Sequence, residues 1–78
     1  MAKRELEPDP VGMEQDAFRA YLRRERTVTL WPFTGRALGT SRSLTYALAR
    51  SGDIKVLRLG HRCRVSSVWL ESVLFPEP

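Results

Sequence analysis

Two glycines thirteen positions apart, Gly39 and Gly52, with Ser41 soon after the first, constrain this chain more than any other feature. A serine side chain accepts orphan N–H groups at a helix start, and glycine takes the left-handed backbone that ends a helix at little cost. The pattern predicts a helix over residues 42–51, opened by Ser41 and closed by Gly52, with an earlier helix stopped at Gly39. Pro32 suits the first turn of the earlier helix because it has no N–H to lose there. That sets it at residues 32–38, with Phe33, Ala37 and Leu38 facing inward. Two short helices joined by a tight glycine-bearing turn have the sequence form of a helix-turn-helix.

The flanking segments complete one domain, since 78 residues are too few for two independent cores. Residues 13–26 carry Met13, Ala17, Phe18, Tyr21 and Leu22 on one helical stripe, with Arg19, Arg23, Arg24 and acids opposite. Core packing is the expectation for this helix, and docking on a neighbouring molecule is the alternative. Residues 27–31 are β-branched and apolar, a short extended lead into the helix-turn-helix. After Gly52, residues 54–59 have strand propensity, Gly60-His61 is a turn, and residues 62–65 return as a second strand. In this hairpin Lys55, Arg58, Arg62 and Arg64 are expected to point away, while Val56, Leu59, Cys63 and Val65 face the core. A short hairpin with a basic rim is a wing. Ser66 or Ser67 then caps a helix to residue 74, anchored by Val68, Trp69, Val73 and Leu74, with Glu71 near its first turns. Residues 1–12 and 76–78 are expected to be tails around a domain spanning 13–75. The fold class is thus mainly α with a small β-hairpin, a winged helix-turn-helix with an added N-terminal helix.

Charge divides unevenly along the chain. Residues 1–26 hold six Lys/Arg and six acids, whereas residues 27–70 hold Arg36, Arg42, Arg50, Lys55, Arg58, Arg62 and Arg64 against Asp53 alone. A basic half beside a neutral one fits a polyanion, most simply a phosphate backbone, and equally a solvated basic surface. The helix over 42–51 sharpens the choice. At 100° per residue, Leu44, Thr45, Leu48 and Ala49 share one side, and Arg42, Ser43, Tyr46, Ala47 and Arg50 occupy the opposite arc. Arginine pairs bidentately with guanine or with phosphate, and serine and tyrosine hydroxyls donate to phosphate oxygens. Ala47 leaves room for close approach to a groove, including contact with a thymine methyl. On the wing, Arg58, His61, Arg62 and Arg64 surround one turn, where long cations follow a backbone or enter a narrow minor groove.

Other function classes find little support. No paired carboxylates, activated nucleophile or phosphate loop is visible, so no enzymatic activity and no cofactor are expected. One histidine and one cysteine provide no structural zinc set, and Cys63 lies in a strand pattern that suits a half-buried structural residue. No apolar run approaches the roughly 20 residues that cross a bilayer, and the N-terminus lacks a signal peptide's apolar core. A reducing cytoplasm is the expected compartment.

The runs Gly39-Thr40-Ser41-Arg42-Ser43-Leu44-Thr45-Tyr46, Arg50-Ser51-Gly52-Asp53-Ile54 and Arg58-Leu59-Gly60-His61-Arg62-Cys63-Arg64-Val65 resemble the excisionase family. These recombination directionality factors form a MerR-like winged-helix group of phages and mobile elements. Members typically show a glycine, a small or apolar residue, Ser-Arg, a tyrosine, a closing glycine and a Leu-Gly-Arg-Arg wing. The resemblance covers residues 28–74. It implies a protein that binds and bends attachment-site DNA, cooperates with integrase to direct excision, and self-associates cooperatively on repeated sites. It also implies that Arg42, Ser43, Tyr46, Ala47 and Arg50 lie in the major groove. Arg58, His61, Arg62 and Arg64 would then touch the adjacent minor groove or backbone. Two positions depart from the pattern: Ala47 stands where many relatives carry a long polar side chain, and Lys55 where many carry proline. A small transcriptional regulator on the same fold is the alternative role. An adaptor using Phe18, Tyr21 and Leu22 without binding DNA is a third reading.

Overall fold

The computed structural model describes residues 7–76. Its elements in chain order are α1 (Gln15–Arg24), β1 (Thr27–Thr29), α2 (Gly35–Leu38), α3 (Arg42–Ser51), β2 (Val56–Leu59), β3 (Arg62–Ser66) and α4 (Ser67–Leu74). A mainly helical body around a small antiparallel sheet is a winged helix-like architecture. The expected extended segment before the helix-turn-helix is itself a strand, so the sheet has three strands, in the order β1-β3-β2.

Register decides what this sheet presents. Val28 and Val56 both stand opposite Val65, in β1 and β2 respectively. Directly opposed residues share a face, so the three valines form an inward row. Val28 and Val65 are fully buried and join Phe18, Leu22, Leu30, Phe33, Ile54 and Leu70 in the core. The pairs Leu57–Arg64 and Leu59–Arg62 lie on the other face. Leu59 is 56% exposed, against the inward placement expected for it. Val56 and Leu59 are three positions apart, and a strand sends residues an odd number apart to opposite faces. Arg58 is corrected with it: it pairs with Cys63 on the inward-facing side and is exposed because it lies near the hairpin end.

The helix-turn-helix is tied together by short polar side chains. The first helix is shorter than the expected 32–38, because Trp31 is extended (φ −133°, ψ 134°) within a wide turn over Leu30–Thr34, and regular helix begins at Gly35. Thr29 caps that turn by accepting from the Phe33 N–H at 3.3 Å. Gly39 and Gly52 take the left-handed conformation at φ 77° and 89°, and Ser41 Oγ accepts from the Leu44 N–H at 3.1 Å. Thr45, fully buried, donates to the Ser41 carbonyl at 2.6 Å and lies 2.7 Å from Thr40 Oγ1. Gly35 is the crossing point. A β-carbon there would collide with Thr45 Oγ1 and the Trp31 ring.

α1 packs on its own domain through Phe18 and Leu22. It is shorter than the expected 13–26, since Glu14 is its extended N-cap and Glu25 turns extended toward β1. Arg19 and Arg23 both donate to Glu71 of α4, at 3.3 and 3.0 Å. α4 opens at Ser66, whose Oγ accepts from the Trp69 N–H. Its inward stripe is Ser67, Leu70 and Leu74 rather than the expected valines. Val68 is 77% exposed and Val73 also faces outward. A cap at Ser66 fixes the helical phase, and Ser67, Leu70 and Leu74 then fall at i, i+3 and i+7.

The tail expected over residues 1–12 is docked where it is described. Asp9 caps a 3₁₀ turn over Pro10–Gly12 and forms a two-point ion pair with Arg36, and Pro10 is buried. Glu7 accepts from the Thr29 N–H at 2.9 Å, closing the free edge of β1. Carboxylates meeting an arginine and an unpaired strand N–H give this segment specific partners. Residues 1–6 and 77–78 of the expected tails lie outside the described residues.

Candidate nucleic-acid interface

α3 turns Thr45 inward, keeps Leu48 and Ala49 half-buried, and exposes Arg42, Ser43, Tyr46 and Arg50. Ala47 is half-covered between its neighbours. The Arg42 guanidinium lies 6.0 Å from the centre of the Tyr46 ring, so the two planar groups sit together near the start of the helix. Leu44 departs from its expected inward position and is 47% exposed. It lies 100° around the helix from Thr45, far enough to rotate off the core side.

The hairpin brings the second set beside the first. Leu59 faces Arg62 across a two-residue turn in which Gly60 takes φ 66°, the positive value that such loops require. Arg58, His61 and Arg62 are exposed around this turn. β3 runs on past the end of β1, and a groove opens there. It is lined by Tyr46 of α3, by His61, Arg62, Cys63 and Arg64 of the hairpin, and by Thr29, Leu30 and Trp31. Tyr46 and the wing cations, fifteen or more positions apart in the chain, thus line one surface feature.

Arg64 is the exception among the expected wing contacts. It is half-buried, its Nε donates to Thr27 Oγ1 at 3.1 Å, and one Nη donates to the Thr27 carbonyl at 3.2 Å. These bonds fix its guanidinium against β1. Thr27 is the orienting partner that the sequence did not point to, because its proximity to Arg64 comes only from the β1–β3 pairing.

The ion pairs divide the surface by charge. Among the described residues, Glu71 engages Arg19 and Arg23, Glu25 engages Arg24, and Asp9 engages Arg36. Arg42, Arg50, Lys55, Arg58 and Arg62 make no ion pair among the described residues. Asp9 and Glu71 carboxyls are held below the usual carboxylate range, first by hydrogen bonds from Arg36 and Arg23 respectively. Carboxylates thus neutralise Arg19, Arg23 and Arg24 of α1 and Arg36 of α2, while among the described residues the cations of α3 and the hairpin have no carboxylate partner.

No family model, curated protein or solved structure matches this chain.

A larger groove, of about 790 Å³, lies between α1 and the sheet. It mixes Glu7 and Glu25 with Arg24, Arg62 and Arg64 around Met13, Ala17 and Tyr21, a lining of both signs unsuited to a polyanion. Among the described residues, no three His, Cys, Asp or Glu side chains gather as a metal site, and no helix is long and apolar enough to cross a membrane.

Proposed function

We propose that this protein is a non-enzymatic, cofactor-free DNA-binding and DNA-bending excisionase that directs integrase-mediated recombination toward excision. The observation that carries the DNA-binding part is the clustering of free cations. Arg42 and Arg50 are exposed on α3, Arg58 and Arg62 are exposed on the wing, and a groove lined by Tyr46, His61 and Arg62 joins the two elements. α3 enters the major groove, with Arg42, Ser43, Tyr46, Ala47 and Arg50 toward the bases and phosphates. Arg58, His61 and Arg62 follow the neighbouring backbone or minor groove, and Arg64, held by Thr27, ties β3 of the hairpin to β1.

The motif resemblance supports the excisionase role, with integrase as partner, cooperative self-association on repeated attachment-site DNA, and action in the host cytoplasm. The same surface at a promoter would make a small transcriptional regulator, since fold does not fix role. A reconstituted excision reaction with a phage integrase and its attachment-site DNA separates them. The excisionase reading predicts that excision depends on this protein. Excision of equal yield without it would refute that role and leave the regulator.

A further inference from the structure

We infer that α3 recognises thymine through an apolar step made by Leu44 and Ala47, a specificity device that rests on the DNA-binding reading above. The outward arc of α3 is polar except at these two positions, which are three apart and so adjacent on the helix surface. Leu44 belongs neither to the core nor to the half-buried side chains packed on it, and neither does Ala47. The buried place in this turn is taken by Thr45, whose hydroxyl is held by Ser41 and Thr40. A leucine is thus left facing outward in the first turn of the helix, next to Ser43 in the chain and one turn before Ala47.

The first turn of the second helix in a helix-turn-helix is the part that comes closest to base edges. A major groove presents hydrogen-bond donors and acceptors almost everywhere, and its apolar feature is the C5 methyl of thymine. Leu44 set against a phosphate or a guanine edge would strip water from a polar group and return nothing. Set against a thymine methyl, it removes apolar surface on both sides from water. Ala47, lacking a long side chain, lets the helix sit low enough for that contact. Ser43 and Arg50, seven apart, share the next stripe beyond Ala47, so the bound sequence carries a thymine at a fixed offset from the base or phosphate met by Arg50.

The test uses the full chain to select from a pool of random-sequence duplexes. The enriched duplexes are then resynthesised with deoxyuridine in place of individual thymidines, which removes the methyl alone. Affinities are read by fluorescence anisotropy at one salt concentration. The inference predicts a thymine at a constant offset in the selected sequences. It also predicts a loss of about three- to fivefold on its replacement by deoxyuridine, the worth of one buried methyl. Leu44→Ala should keep the wild-type melting temperature and bind the two duplexes equally. If the wild-type chain binds both duplexes equally while Arg50→Ala still weakens binding, thymine reading is overturned and DNA binding stands. A chain that enriches no duplex overturns both.

Discussion

Arg50 and Arg64 are both arginines of the predicted interface, and their surroundings give them different work. Arg50 is exposed and has no ion pair among the described residues, so its guanidinium is free to meet a base or a phosphate. Arg50→Ala is therefore expected to weaken specific DNA binding by about 1–3 kcal/mol in a mobility-shift titration, with the melting temperature unchanged. Arg64 spends two N–H groups on Thr27, so Arg64→Ala should lower the melting temperature as well as the affinity, whereas Arg58→Ala should lower affinity alone. Equal thermal stability of the two variants would contradict the bracing role. Gly35 makes a third case at this scale. An added methyl would press on Thr45 and Trp31, so Gly35→Ala should cost about 1–3 kcal/mol of stability, read from thermal unfolding. Unchanged melting would mean that α2 and α3 can separate without loss.

Among the elements, those with local chemical punctuation were legible in the sequence. Ser41, Gly39, Gly52 and Gly60 each act within a few residues of themselves, and each occupies the cap or turn expected of it. The reading failed where a distant partner decides the outcome. β1 is three residues long and exists through its pairing with β3. The outward turn of Leu59 follows from strand register, and that of Val68 from the helical phase set at Ser66. The docking of residues 7–12 depends on Thr29 and Arg36, more than twenty positions away. The clamp between α1 and α4 is another such product, because Glu71 meets Arg19 and Arg23 across about fifty residues. Glu71 is held below the usual glutamate range, first by the Arg23 hydrogen bond. A carboxyl depressed in the folded state adds stability above its unfolded value and loses it as pH falls through the folded one. Acidification through and below the ordinary glutamate range should thus lower the melting temperature of the wild-type protein. Glu71→Gln should be less stable at neutral pH and lose less on acidification. The effect is small because the pair is partly solvated, and parallel pH profiles for the two proteins would contradict it.

For the whole molecule, the charge division matters more than the net value. A formal charge of +4 is modest, and several of its cations are consumed by Glu71, Glu25 and Asp9 on the α1 and N-terminal side. Among the described residues, most of the arginines and lysines without an ion pair lie on α3 and around the hairpin, and the sequence signalled this by holding Asp53 as the lone acid of residues 27–70. It did not signal that Arg36 is neutralised by Asp9, since that requires the N-terminal segment to fold back. Binding through such a surface releases counterions, so affinity should fall steeply with salt, by about 0.9 in log K per unit log salt for each phosphate engaged. The most direct measurement is the affinity of the full chain for an attachment-site duplex across a salt series, repeated with the double variant Arg50→Ala/Arg58→Ala. If Arg42, Arg50, Arg58 and Arg62 all meet phosphates, the wild-type slope should be about −3 to −4, made shallower by about 2 in the variant. A wild-type affinity that hardly changes with salt, or a variant with the same slope as the parent, would contradict an interface built on α3 and the wing.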